Sequence, residues 1–139
     1  MKAKILILAL AGALAVTIAV FLWARASYPG CFLTAEEARR RWGDTPFAAP
    51  AFRAAAPEER AKQVWSLLKG PEGRAFLREP LGRILEELGP ADGHFATPGM
   101  AAYKVQAPAA DGAIEWNVAF AANTVGRLGD VMVWRETCP

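Results

Sequence analysis

The sequence predicts an α+β fold that follows an N-terminal transmembrane helix. An uncharged apolar run occupies the N-terminus, apolar residues recur with helical spacing in the middle of the chain, and they alternate with polar residues in the last third. Because the helical patterns come first, we expect short helices followed by a three-stranded antiparallel β-meander. We divide the chain into a signal anchor (residues 1–26), a short helix with a Pro-rich loop (residues 27–56) and an α+β domain (residues 57–139).

The N-terminal run has the length and composition of a membrane-spanning helix. Residues 5–23 carry no charge, and 11 of these 19 residues are Leu, Ile, Val or Phe. As an α-helix the run would be roughly 28 Å long, which matches the hydrocarbon core of a bilayer. Lys2, Lys4 and the terminal amine outnumber Arg25 on the far side, which predicts a cytoplasmic N-terminus. We therefore expect a single-pass protein of the bacterial inner membrane with a periplasmic C-terminal domain.

Two other fates of this segment stay open on the sequence. The small residues Ala24 and Ala26 would suit a signal-peptidase site, and cleavage near Ala26 would release a secreted or periplasmic protein. The anchor is the preferred interpretation because the apolar run exceeds the about 7 to 15 residues of a signal-peptide core. Lipidation of Cys31 is the third fate, and Tyr28 stands where a lipoprotein signal has an aliphatic residue.

Small residues recur along the predicted anchor at a spacing of four. Such residues allow transmembrane helices to approach closely, although this chain is rich in alanine throughout. The residues that would form this packing stripe are Ala11, Ala15 and Ala19.

The two cysteines flank the predicted exported domain. Cys31 follows the apolar run and Cys138 is the penultimate residue. Disulfides persist outside the cytoplasm, and one between these residues would close a loop of about 100 residues, worth up to ~4.7 kcal/mol in the chain-entropy model. A redox-active thiol would need a C-x-x-C pair or an adjacent histidine, so we expect a structural disulfide.

The first exported helix is predicted by its cap. Thr34 and Glu37 have the spacing of a capping box, which starts a helix that runs to about Trp42. Gly43 can end that helix with a left-handed conformation. Residues 44–56 are rich in Pro, Ala and Phe, and they predict an extended loop whose phenylalanines dock on the core.

Two further helices follow the loop. Pro57 suits the first turn of a helix, which Lys69 closes before Gly70 and Pro71. Pro80 begins the third exported helix, and Gly89 and Pro90 end it. Its apolar residues follow helical spacing: Leu81, Ile84, Leu85 and Leu88.

Beyond residue 100 the apolar period becomes two. Tyr103 and Val105 alternate with polar neighbours, and a longer alternating run continues from Ile114 to Phe120. A last strand, beginning near Thr124, carries Val131 and Val133 on one face and Met132 and Trp134 on the other. Asp111-Gly112 and Ala122-Asn123 are the predicted turns.

This order of elements resembles a known family over roughly 80 residues, from about residue 52 to residue 134. The residues that carry the resemblance are Arg60, Leu67, Leu68, residues 84–92 (Ile-Leu-Glu-Glu-Leu-Gly-Pro-Ala-Asp), residues 103–105 (Tyr-Lys-Val), residues 116–120 (Trp-Asn-Val-Ala-Phe) and Val125. The stretch is similar to the small outer-membrane lipoprotein A domain family, which includes the small lipoprotein of the β-barrel assembly machine. The resemblance implies an envelope location and protein binding rather than catalysis.

The residue types that most enzymes and metal sites need are scarce. His94 is the single histidine, and the serines, Ser27 and Ser66, lie at the membrane edge and within a helix. The carboxylate pairs occupy adjacent helical positions, which diverge by about 100° and do not share a site. A phosphate-binding glycine motif is also lacking. We therefore predict a protein that is not an enzyme and that uses no metal, cofactor or small-molecule substrate.

The charges do not favour nucleic acid as a partner. The net charge of +2 arises from Lys2, Lys4 and Arg25, which leave 13 basic and 14 acidic residues in the rest of the chain. Arg39, Arg40 and Arg41 form the densest basic run, which could contact lipid headgroups or an acidic partner, or could simply be a solvated helix face.

The aromatic residues suggest a protein-binding surface. Met132 and Trp134 share a sheet face, and helices that covered only the other face would leave them exposed. Coverage by the helices or by the Pro-rich loop is the alternative. We expect a membrane-anchored, periplasm-facing protein-binding module that serves a membrane-associated complex as an accessory or assembly subunit. A cleaved, inhibitor-like binding protein is the second hypothesis.

Overall fold

A computed structural model of the chain describes residues 2–27, 31–95, 100–105 and 115–135. The helices in these ranges are α1 (Lys2–Ser27), α2 (Ala35–Trp42), α3 (Ala49–Ala54), α4 (Pro57–Lys69), α5 (Pro71–Phe76) and α6 (Leu81–Leu88). The strands are β1 (Phe32–Leu33), β2 (Ala101–Val105), β3 (Trp116–Ala122) and β4 (Leu128–Trp134). The predicted α+β class is confirmed.

Helix α1 is long and apolar enough to cross a membrane. Its candidate span, Lys2–Val20, makes no contact that buries it, and its leucines, isoleucines and valines are exposed. A domain of this size does not leave such a surface in water, so α1 needs an apolar environment. A signal sequence has the same length and composition, and the helix is consistent with either.

The sheet is antiparallel throughout and has the order β1-β4-β3-β2. The predicted meander is its β2-β3-β4 part, whereas the predicted count of three strands is wrong. The additional strand, β1, precedes helices α2 to α6 and pairs Phe32 with Trp134 and Leu33 with Val133. Two residues are too short to show an alternation, and β1 becomes a strand only because the far end of the chain lies beside it.

Local end signals define the helices well. Thr34 accepts a hydrogen bond from Glu37 N–H at 3.2 Å, and Glu37 accepts one from Thr34 N–H at 2.7 Å, which confirms the capping box. Gly43, with φ +93°, ends α2, and Gly89, with φ +79°, ends α6. The positive φ explains why glycine occupies both positions.

The Pro-rich loop is only partly extended. Residues Ala49–Ala54 form the short helix α3, which corrects the prediction of an extended chain over residues 44–56. Phe47 and Phe52 are buried as predicted, and their rings lie 5.9 Å apart. Helix α5 is a second unpredicted helix, because Pro71 both ends α4 and starts α5.

The main core lies between the helices and one face of the sheet. Tyr103 of β2 contacts Phe52 and Phe120 through edge-on ring pairs, and its hydroxyl donates to Gly89 O at 2.8 Å. The other fully buried residues of this core include Val64, Leu67, Ile84, Leu88, Val105, Val118 and Val133.

The second face of the sheet is also covered, which the alternating pattern does not predict. All residues of β3 from Trp116 to Phe120 are buried, including Asn117 and Ala119. The segment Asp92–Phe95 crosses this face: His94 N–H donates to Asn117 Oδ1 at 3.1 Å, and the ring of Phe95 lies 4.8 Å from that of Trp134. Polar and small residues on this face of β3 therefore leave room for a covering segment.

The last hairpin differs slightly from its prediction. Strand β4 begins at Leu128, because Thr124 lies in a turn where Asn123 Oδ1 accepts from the N–H groups of Val125 and Arg127. The predicted turn at Asp111-Gly112 and the strand position of Ile114 lie outside the described residues.

Candidate functional site

The two edges of the sheet are finished in different ways, and the difference locates the candidate site. At the β2 edge, Gly93 N–H donates to Ala102 O at 2.8 Å, and Lys104 N–H donates to Asp92 Oδ1 at 3.1 Å. Arg60 Nη1 reaches Lys104 O at 3.5 Å. These contacts occupy Ala102 O, Lys104 N–H and Lys104 O, which β2 turns away from β3, and they cover this edge.

Arg60 and Asp92 hold that closure together. The Arg60 guanidinium is buried, lies 2.8 Å from Asp92 Oδ2 and also donates to Phe52 O at 3.1 Å. Partial burial opposes ionisation of Asp92, but the hydrogen bonds from Arg60 and from Lys104 N–H outweigh it, and the pKa of Asp92 lies below its ordinary value. This ion pair links α4, the end of α3 and β2, and its role is structural.

The β4 edge is closed at one end only. Cys31 O accepts a hydrogen bond from Arg135 N–H at 3.0 Å, and β1 pairs with Val133 and Trp134. Among the described residues, no strand pairs with the rest of β4 on this side. The N–H of Val131 instead donates to the side chain of its own neighbour, Asp130 Oδ1, at 2.8 Å.

The parity of the strand shows that this N–H points outward. Alternate residues of a strand direct their backbone groups to opposite sides. Val131 lies four residues before Arg135, whose N–H is bound by Cys31 on the outer side. The regular pairing of β3 with β4 ends near Gly129. There Ala121 pairs with Asp130 and Ala122 with Leu128, which leaves a β-bulge at Gly129. The open edge is therefore short and centred on Val131.

An apolar depression lies beside the open edge. It has a volume of about 610 Å³ and lies between β4, the start of α2 and the end of α4. Its apolar lining consists of Leu33, Leu68, Leu77, Leu128, Val131 and Val133. Glu36, Lys69 and Asp130 supply the charged side chains of its rim. We call this depression, together with the open edge at Val131, the β4-edge groove.

The predicted Trp-bearing face is not an open surface. Trp134 is 7% exposed, because His94 and Phe95 pack on its ring at 6.0 and 4.8 Å, and Met132 is half-buried. The prediction that Met132 and Trp134 form an exposed partner surface is therefore wrong for Trp134, and the covering segment is neither a helix nor the Pro-rich loop.

The arginine run makes contacts within the domain. Arg39 donates to Asp44 at 2.9 Å, and its guanidinium lies 4.6 Å from the centre of the Trp65 ring. The guanidinium of Arg41 lies 5.4 Å from the ring of Trp116, and Arg40 is exposed. The structure therefore uses part of this run to attach α2 to the core, while a contact of Arg40 with lipid or with an acidic partner stays a prediction.

The side chains of His94 and Ser66, which are of types that catalytic sites use, contact other parts of the domain. His94 is exposed beside Trp134, and the Ser66 hydroxyl donates to Asp44 O at 3.0 Å from a buried position. In the part of the chain that the structure describes, His, Cys, Asp and Glu residues do not gather in groups of three or more that could hold a metal ion.

The sequence patterns did not predict one pair of neighbouring carboxylates, Glu79 and Glu87. Desolvation raises the pKa of Glu79, and the nearby carboxylate of Glu87 raises it further. The residues are eight positions apart, on opposite sides of the turn that precedes α6, so adjacency in the sequence does not predict the pair. Glu79 lines a second depression of about 410 Å³ that shares Leu77 and Leu128 with the β4-edge groove.

The structure describes one of the two cysteines of the predicted disulfide and the whole of the predicted alanine stripe on α1. Cys31 is 2% exposed at the start of β1, whereas Cys138 lies outside the described residues. The alanines at positions 11, 15 and 19 are exposed along α1. The sequence did not reveal the groove because its lining comes from four separate segments of the chain. The signal that could have indicated it is Gly129-Asp130, two residues that disfavour strands, within an apolar strand pattern.

The resemblance to the small outer-membrane lipoprotein A family stays a prediction. No protein-family model, no curated protein and no solved structure matches this chain.

Proposed function

We propose that this protein is a membrane-anchored, periplasm-facing protein-binding module, and that it serves a membrane-associated complex as an accessory or assembly subunit. The observation that carries the proposal is the β4-edge groove. In the part of the chain that the structure describes, the domain's own segments cover the helix-side face of the sheet, Trp134 on the other face and the β2 edge, yet an apolar depression of about 610 Å³ lies open beside a stretch of β4 that no other strand pairs with. Apolar surface next to an unpaired strand edge is typical of a protein-binding site.

The exposed helix α1 supports anchorage to the membrane. It presents apolar side chains on all sides, as a helix in lipid does. The charges of Lys2 and Lys4 favour a cytoplasmic N-terminus and a periplasmic domain. Catalysis is not part of the proposal, because the exposed His94 and the buried Ser66 are engaged in packing and in backbone hydrogen bonding.

An exported domain also agrees with a bridge between Cys31 and Cys138. Cys31 O accepts from the N–H of Arg135, which stands three residues before Cys138 in the chain. Three residues span at most about 10 Å, so the length of chain between Arg135 and Cys138 is compatible with a bridge to Cys31. A disulfide at this point would lock β1 onto the end of β4.

Site-specific photo-crosslinking in the native host tests the binding function. A photoreactive amino acid replaces Lys69 on the rim of the groove, and a matched variant carries it at Arg83, an exposed position on α6. We expect an adduct of defined mass in the membrane fraction from position 69 but not from position 83. Equal labelling from the two positions, or no adduct at position 69, would contradict a partner at the groove.

The same membranes separate the anchored protein from its cleaved alternative. N-terminal sequencing of the mature chain should begin at Met1 or Lys2. A chain that begins near Ser27 and is recovered in the soluble fraction would instead establish the secreted, inhibitor-like form.

A further inference from the structure

We propose that the β4-edge groove binds an extended segment of its protein partner as an additional β-strand, and that the preferred segment places a basic residue between two apolar residues. The inference rests on the proposed function and specifies the chemistry of the partner. The unpaired backbone of β4, the groove beside it and the charge of Asp130 carry the three parts of the argument.

The first part is the backbone N–H of Val131, which donates to a side chain instead of to a neighbouring strand. Val131 N–H points away from β3 and donates to Asp130 Oδ1, an acceptor that stands where a neighbouring strand would offer its carbonyl. Strand β1 already pairs with β4 at Val133, two residues further along the same edge. An extended segment that follows the row of β1 can replace the carboxylate at Val131 and extend the sheet.

The second part is the groove that receives apolar side chains. The partner residue opposite Val131 directs its side chain to the same face as Val131, which is the helix-covered face. On that face it meets Leu33 and Leu77 in the groove. The next apolar residue of an alternating segment, two positions along, falls beside Leu128, where the groove continues.

The third part is the charge on the opposite face. The partner residue between the two apolar ones lies opposite Asp130, which is exposed. When the partner's carbonyl takes over Val131 N–H, the carboxylate of Asp130 loses its hydrogen-bond donor, and a Lys or Arg at this position supplies a new one. Glu36 on the rim adds a second negative charge against the single base Lys69.

A second copy of the chain fits this edge less well. A two-fold pairing of β4 with itself that is centred on Asp130 places the two Asp130 carboxylates directly opposite one another, and like charges at such positions are unfavourable. A pairing centred on Val131 would bring the partner copy onto Val133, which β1 already occupies.

Peptide binding to the full-length chain in lipid nanodiscs tests the proposal. The probe is a fluorescent synthetic peptide of sequence Ser-Thr-Val-Lys-Val-Thr-Ser, and its anisotropy reports the dissociation constant. We expect replacement of the Lys by Glu to weaken binding at least about threefold. The variant Asp130→Lys should reverse this preference and bind the Glu peptide more tightly than the Lys peptide.

Methylated peptides test strand pairing without altering the protein. N-methylation of the valines removes N–H groups that face β4 and should weaken binding about fivefold or more, whereas N-methylation of the Lys, whose N–H faces solvent, should change it less than twofold. The variant Val131→Pro removes an outward N–H that donates to Asp130 and not to β3, and it should resemble the valine-methylated peptide.

Four outcomes would overturn the proposal. The first two are an equal loss of peptide affinity on methylation at either position and an unchanged charge preference in Asp130→Lys. The third is unimpaired peptide binding to folded Val131→Pro. The fourth is a concentration-dependent dimer that Val131→Pro abolishes, which would identify a second copy as the occupant. A crosslink from position 69 that persists in Val131→Pro would refute strand addition and leave the proposed binding function intact. Failure of that crosslink in the unaltered chain would refute the binding function itself.

Discussion

Individual residues in this domain act mainly by connecting segments that are far apart in sequence. Arg60 binds the end of α3 through Phe52 O and the β2 edge through Asp92. Asp92 in turn accepts from Lys104 N–H. A buried guanidinium is stable only when its donors are used, so the two side chains depend on each other.

Removal of the Asp92 charge should make the free energy of unfolding of the domain depend less on pH in the acidic range. In Asp92→Asn we expect a loss of about 1 kcal/mol near neutral pH, a modest value because solvent screens a carboxylate that is 43% exposed. The pKa of Asp92 is lower in the folded state, so its contribution is complete above about pH 4 and is lost as the pH falls through the folded pKa. Urea unfolding of both proteins between neutral and acidic pH measures the gap, which should close on acidification. A gap that widens in acid would contradict this role.

The capping residue Thr34 should contribute through α2 alone. The variant Thr34→Ala removes the acceptor of Glu37 N–H, and we expect a loss of about 1 kcal/mol in the free energy of unfolding. Thr45 is an exposed threonine outside any helix, and Thr45→Ala serves as the matched control with little expected change. Equal effects of the two variants in urea unfolding would show that the cap is not what stabilises α2.

The helices and strands differ in how well the sequence predicts them. Helices α2, α4 and α6 were predictable because their caps, prolines, glycines and apolar spacing lie within a few residues of each other. The short helices α3 and α5 were not, because six residues hold too few turns to display a period. Strand β3 was predicted, but its burial on both faces depends on a segment about 25 residues earlier.

The segment that covers the second sheet face should tolerate no side chain at Gly93. A Cβ at this position would collide with the Asn117 side chain and would lie 2.9 Å from the backbone of Ala102. We expect Gly93→Ala to destabilise the domain by about 1–3 kcal/mol.

A second glycine supplies the matched control for this prediction. Gly82 lies within α6 with open space around it, so Gly82→Ala should stabilise by roughly 0.5–1 kcal/mol through helix propensity. Opposite signs in thermal or urea unfolding are expected, and a neutral Gly93→Ala would show that the segment does not pack on the sheet as described.

At the scale of the whole molecule, the described residues combine an exposed apolar helix with a domain whose sheet has one edge that is only partly paired. Covalent closure between Cys31 and Cys138 would complete that architecture, because β1 is only two residues long and contributes two register pairs to the sheet. A strand this short depends on other constraints to stay paired.

Reduction should therefore weaken the folded α+β domain if the two cysteines are joined. Intact mass spectrometry of the non-reduced protein should find no alkylatable thiol, and Cys31→Ser with Cys138→Ser should cost up to ~4.7 kcal/mol. The measurement is urea unfolding with and without a reductant, with the double variant insensitive to it. Two free thiols in the untreated protein would refute the bridge.

The sequence alone was sufficient for the apolar N-terminal helix, the α+β class and the bounds of the longer helices, because each depends on composition or on neighbours within two helical turns. The strand β1, the cover over Trp134 and the β4-edge groove required the folded chain, because each is made by residues that approach only after folding. The exposed face predicted at Met132 and Trp134 shows the limit most clearly. An alternating strand reveals that it has two faces, but what lies on the second face is decided by the path of a distant loop.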